Sequence, residues 1–140
     1  MQNFLLDLFE LSDTDIAYLA GVFDGEGHIS VLKDKRGYNA YSLHLRINIT
    51  SLETVYRFRD SFGGTVGANT SENNKRKGKP IYRWVVCGKR AESVLRTLFP
   101  YLHIKRKEAE IVFQIRNYWH SMHGEAKKHL VAQLLEERHK

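Results

Sequence analysis

Leu19-Ala20-Gly21-Val22-Phe23-Asp24-Gly25-Glu26-Gly27 is the stretch that decides the fold. It reads as the last turns of a helix. Ser12 is placed to act as N-cap, and Asp15, three residues on, can answer it as a shortened capping box. Ile16, Leu19, Ala20 and Phe23 then recur at helical spacing. Ala17, Gly21 and Gly25 put a small residue at every fourth position, a stripe with no side chains to hold a neighbouring backbone away. The steric argument comes from membrane helices but needs no lipid. The end of the helix breaks a rule. Asp24 and Glu26 are carboxylates where the macrodipole is already negative, beside Gly25 and Gly27, which predict a helix stop and leave the backbone bare. A local rule broken without evident structural gain marks a functional site. Carboxylates at a close-packed helix end require a cation, and oxygen ligands favour a hard one, Mg²⁺ or Ca²⁺.

Outward from this stretch, 140 residues suit one domain, residues 1–140, with room for a real core. The formal net charge of +6 favours a polyanionic partner. A single cysteine, Cys87, excludes a disulfide framework and a cysteine-based zinc site. No run approaches a membrane span. Residues 1–11 are apolar at Phe4, Leu5, Leu6, Leu8, Phe9 and Leu11, but they carry Asp7 and Glu10 and lack a basic start. They read as a short helix or arm packed on the body, not as a signal peptide. The expected setting is intracellular and reducing, nucleoid-associated or organellar, neither secreted nor membrane-bound.

After the glycines, Ile29 and Val31 alternate with His28 and Ser30 as a strand begins. Arg36-Gly37-Tyr38-Asn39 is a turn. The next strand is the clearest: Tyr41, Leu43, Leu45, Ile47 and Ile49 face one way, and Ser42, His44, Arg46, Asn48 and Thr50 the other. The polar face carries the side-chain types that read base edges, Arg for guanine, Asn for adenine, Ser and Thr for either. An ordinary solvated sheet face fits that strand equally well. Ser51 to Phe62 reads as a helix with Ser51 as N-cap, ended by Gly63-Gly64. A weak strand, Thr65 to Thr70, leads to the basic hairpin tip Lys75, Arg76, Lys77 and Lys79, read as phosphate contacts, with a solvated loop as the alternative. Ile81 to Cys87 is the fourth strand, with Trp84 assigned to the core and Arg83 to the opposite face. Helices follow over Ala91–Phe99, Ile104–His120 and Glu125–Lys140.

This order of elements, and the nonapeptide itself, resemble the LAGLIDADG homing endonucleases. Leu19, Ala20, Gly21, Asp24 and Gly27 match that signature letter for letter; Val22 and Phe23 stand for apolar letters, Gly25 for a small one and Glu26 for the second acid. The resemblance covers nearly the whole chain and implies an α+β fold, αββαββα, with a four-stranded antiparallel saddle sheet backed by helices and further C-terminal helices.

It further implies a single-motif subunit that pairs as a homodimer through Ala17, Ala20, Gly21, Asp24 and Gly25. The implied activity is Mg²⁺-dependent cleavage of double-stranded DNA at a long, nearly two-fold symmetric site, with Mn²⁺ or Ca²⁺ also able to occupy the metal site. Glu26 matches the family's metal-binding acid, with the Gly25 carbonyl as a further ligand. Lys105, in Leu102-His103-Ile104-Lys105-Arg106-Lys107, matches the active-site lysine, although a surface lysine at a helix start is the plain alternative. Asp24 ranks second to Glu26, as an orienting and capping group. The family's polar water-placing residue has Ser51 or Thr50 as its candidate here. The implied DNA-contacting set takes in Ser30, Leu32, Asp34, Arg36, Ser42, His44, Arg46, Asn48, Asn69, Lys75, Arg76, Lys77, Lys79 and Arg83. Two other functions occur on this scaffold: an intron RNA maturase, whose partner is the host intron RNA, and a non-catalytic DNA-binding regulator. Retention of Glu26 disfavours the regulator.

Overall fold

The computed structural model describes residues 11–33, 41–69, 79–117 and 124–138. Helix α1 (Asp13–Glu26) opens on the expected capping box. The Ser12 hydroxyl accepts from Asp15 N at 3.1 Å, and Ser12 N donates to Asp15 Oδ2 at 3.3 Å. These bonds, and Arg57 at 3.2 Å, hold the Asp15 carboxyl below its usual pKa. With no intervening loop, α1 passes into β1 (Gly27–Lys33). Gly27 is the C-cap, but its φ of −83° is extended, so the helix does not end on a left-handed glycine. Glycine is needed for space: a Cβ there would sit 2.6 Å from the Phe23 carbonyl oxygen and against the Phe23 ring.

β2 (Tyr41–Ile49) pairs antiparallel with β1, β3 (Thr65–Asn69) with β4 (Ile81–Cys87), and β2 with β4, so the sheet order is β1-β2-β4-β3. Two hairpins thus meet along their second strands. The period-two pattern separates the faces as expected. Ile29, Leu43, Leu45, Ile47, Trp84 and Val86 are buried on one face, beneath α1, α2 (Leu52–Phe62) and α3 (Gly88–Leu98). Trp84 sits at the centre: its ring lies 4.9 Å from that of Phe58, and its indole N–H donates to the Gly63 carbonyl at 2.8 Å. That bond satisfies the one polar atom of a fully buried side chain.

A 3₁₀ turn, Phe99–Tyr101, follows α3 and contains Pro100; α4 (Arg106–Asn117) and α5 (Gly124–Arg138) then pack together. Helix α3 begins three residues before the expected Ala91, at Gly88, whose φ of +71° turns the chain sharply out of β4. Helix α4 begins two residues after the expected Ile104, for a reason given below. Expectations for residues 1–10, Asp34, Arg36, Lys75, Arg76, Lys77 and 118–123 lie outside the described residues. Among those described, no helix is long and apolar enough to cross a membrane.

Candidate active site

The C-terminal end of α1 is where the sequence broke the dipole rule, and the structure supplies the missing gain. Asp24 is buried, with 6% of its surface exposed. Its Oδ2 accepts from His103 N at 3.0 Å and Ile104 N at 2.9 Å, and its Oδ1 from Lys105 N at 2.8 Å. These amides belong to the three residues that lead into α4, so the carboxylate that opposes the dipole of α1 lies at the positive end of that of α4. Burial pushes the Asp24 pKa up, but the three amides and the nearby Lys105 ammonium outweigh it, and the net shift is downward. Ala109 N donates to the Lys105 carbonyl at 3.0 Å, so the helical ladder opens at Lys105 and leaves Ile104, apolar and in helical phase, outside α4.

Lys105 completes the knot. Its ammonium donates to the Asp24 carbonyl at 2.7 Å. A lysine just before a helix is disfavoured by that helix, yet here its charge lies at the negative C-terminal end of another, where it is stabilising. The arrangement leaves Glu26 outside the knot. Gly25, Glu26, Gly27, His28, Ile29, Lys105 and Glu108 line an open cleft of about 400 Å³. Glu26 is exposed, and a Cβ placed on Gly25 would meet nothing within 4 Å. The sequence reading named Glu26, Gly25 and Lys105, and the fold brings them together. It missed Glu108 and His28. His28 follows the motif directly, and Glu108 stands three residues after Lys105, but neither spacing carries a distinctive signal.

The other sequence candidates separate from this cleft. Ser51 is the N-cap of α2: its hydroxyl accepts from Thr54 N at 3.2 Å and lies 2.8 Å from Thr54 Oγ1. It does not line the cleft. Gly21 and Gly25 are exposed along α1 with Ala17 half-buried beside them, so the small-residue stripe is open on a single chain. Two members of the expected pairing surface are not on it. Ala20 is fully buried in the core, because its side chain shares the face of Leu19 and Phe23, and Asp24 is spent on α4.

The sheet face opposite the core runs in rows set by the register. His28 lies beside Arg46, then Val85, then Thr65; Ser30 beside His44, then Cys87; Leu32 beside Ser42; Asn48 beside Arg83, then Gly67. A depression of about 380 Å³ runs over this face between Ser30, Leu32, His44, Arg46 and Arg83. The Arg83 guanidinium reaches across Gly67, 3.8 Å from where a Cβ would be. No carboxylate stands in these rows, unlike the mixed-sign surface of an ordinary solvated sheet. Lys79 is exposed at the foot of β4. Asn69 closes β3 opposite Ile81.

The LAGLIDADG-like domain family matches residues 13–98, more than half of the chain. No curated protein matches significantly. Among solved structures, the archaeal intron-encoded homing endonuclease I-Vdi141I, complexed with DNA, is similar at a TM-score of 0.68 and 16% identity, over 89% of this chain and 84% of that one. The homing endonuclease I-CvuI, in complex with the I-CreI target, is similar at 0.58 and 24%, over 73% of this chain and 65% of that one. The meganuclease I-SmaMI, bound to uncleavable DNA, is similar at 0.57 and 17%, over 88% of this chain and 42% of that one. The chain therefore spans about two thirds of I-CvuI and under half of I-SmaMI. Motif, sheet order and family match agree, and the chain belongs to the LAGLIDADG family, with the fold of its homing endonucleases.

Proposed function

We propose that the protein is a site-specific endonuclease that hydrolyses both strands of a long, two-fold symmetric DNA site as a homodimer, using a divalent cation. The observation that carries this reading is the cleft joining Glu26 to Lys105 where the exposed small-residue stripe ends, beside a sheet face that among its described residues carries Arg46 and Arg83 and no carboxylate.

The residues present fit a hard cation. Glu26 and the Gly25 carbonyl offer oxygen ligands in an open, polar cleft. Mg²⁺ matches such a sparse set, because it keeps several waters and takes the remaining ligands from phosphate. When bound, it supplies Lewis-acid stabilisation of the scissile phosphate and lowers the pKa of a water. Glu26 holds the charge in place. Lys105 has three ammonium donors; one holds the Asp24 carbonyl, and the others can reach a phosphate oxygen as negative charge develops on it. Anchoring by Asp24 preorganises that lysine, so little motion is needed at the moment of reaction. The sheet face lies in the major groove, where Arg46 and Arg83 are long enough to read guanine edges.

Pairing through α1 would bring the two clefts near a common axis. The stripe predicts a sharp test. Nothing lies within 4 Å of a Cβ at Gly21, and leucine is a far better helix former than glycine, so Gly21→Leu should fold normally. It should weaken dimerisation about a hundredfold, the effect of roughly 3 kcal/mol of overpacking. Analytical ultracentrifugation checks this, and an unchanged dimer constant would remove α1 from the interface.

Arg46→Ala should relax base preference at one position of each half-site, at about 1–3 kcal/mol. A uniform loss across all sequences, measured by competition binding, would make Arg46 a phosphate contact instead. The reading as a whole is tested by cleavage selection: the purified protein is incubated in Mg²⁺ with randomised symmetric duplexes, and cut ends are sequenced. A symmetric motif cut with a fixed stagger is the expected result. Retention of a duplex without cutting would overturn the enzymatic reading.

A further inference from the structure

We infer that Glu108 is a positioning residue for the divalent cation in this cleft, accepting hydrogen bonds from the cation's water ligands while Glu26 binds directly. The inference rests on the metal role proposed above for Glu26. Glu108 lines the same cleft as Gly25, Glu26 and Lys105, from the first turn of α4. The two carboxylates are anchored to one rigid knot: Asp24 stands two residues before Glu26, and Lys105, which it binds at 2.8 Å, stands three before Glu108. Their separation is therefore set by short, buried hydrogen bonds rather than by a loop.

Charge and coordination point the same way. Glu26, Glu108 and Lys105 bring two carboxylates and one ammonium to the same cleft, a donor set suited to a hard dication beside a phosphate. Mg²⁺ gives up its waters reluctantly, and those it keeps need acceptors. Glu26 and the Gly25 carbonyl offer the direct ligands at one wall of the cleft, and the second carboxylate, on α4, serves the waters.

The test measures Mn²⁺ affinity by electron paramagnetic resonance. The full chain is bound to the duplex recovered by selection, with phosphorothioate linkages blocking cleavage. Glu108→Gln should weaken Mn²⁺ binding about 10- to 100-fold, the usual effect of losing an outer partner, and Glu108→Asp should restore part of it. DNA affinity in EDTA should stay at the wild-type value. Mn²⁺ affinity within twofold of wild type would overturn the assignment. So would an equal loss of DNA affinity in EDTA, which would mark a structural effect. Glu26→Gln, run in parallel, separates the two claims: if it too keeps full Mn²⁺ affinity, the metal reading of the cleft has failed, not the placement of Glu108 alone.

Discussion

Glu26→Gln is expected to reduce DNA cleavage by about 10³-fold or more, equivalent to about 4 kcal/mol of transition-state stabilisation. The substitution keeps shape and volume and removes the negative charge that the last turn of α1 presents to the cleft. Glu26 is exposed and takes no part in the Asp24 knot, so the fold should be unaffected. Binding to the target duplex in EDTA should be equal to wild type or slightly tighter, because a negative charge near phosphate has gone. Gel assays of cleavage in Mg²⁺, with fluorescence anisotropy in EDTA, report the two quantities separately. Cleavage within tenfold of wild type would sink the assignment of Glu26. A parallel fall in binding would make it a recognition residue instead.

Asp24→Asn is expected to do the opposite, destabilising the fold first and affecting cleavage only as a consequence. A buried carboxylate that accepts three amides is replaced by a group with one acceptor oxygen and an added donor facing those amides. At least one amide is left unsatisfied, and the charge-assisted bonds become neutral, a loss of about 3 kcal/mol. In a chain of this size that lowers the melting temperature by roughly 10 °C. The pH dependence is characteristic. The folded pKa of Asp24 lies below its ordinary value of 3.8. The stability it contributes is therefore fully present above pH 3.8 and is lost as pH falls through the lower folded value. The difference in urea midpoint between wild type and Asp24→Asn should be constant from pH 5 to 7 and should shrink below pH 4. A difference that stays constant down to pH 2 would show that the charge on Asp24 contributes nothing.

What was legible in the sequence, and what was not, divides along the range of the interactions. The faces of β2 and β4 could be read because a period of two is local, and Trp84 and Arg83 fell on the expected sides. Both serine caps, at Ser12 and Ser51, were legible because a cap and its amide stand three residues apart. Glu26 stood out as a broken rule. Asp24 broke the same rule for a different reason, and its partners lie 79 to 81 residues away in a segment with no complementary pattern. The same distance hid the start of α4, where Ile104 kept helical phase while its amide turned to Asp24. Ala20 was assigned to the pairing surface from the motif, although its own spacing from Leu19 and Phe23 placed it in the core. Glu108 had no signal at all, since only the closed chain brings α4 to the end of α1.

The knot at Asp24 also bears on when the cleft comes into being. Every amide it uses belongs to His103, Ile104 or Lys105. On a ribosome the sheet and its first three helices, complete by Leu98, can collapse before those residues emerge. Closing a loop of some eighty residues adds little entropy cost beyond a shorter one, but it can happen only once both ends exist. A nascent chain would then carry a finished sheet face with no assembled cleft, and on the proposed function the half that cuts would be the last to form.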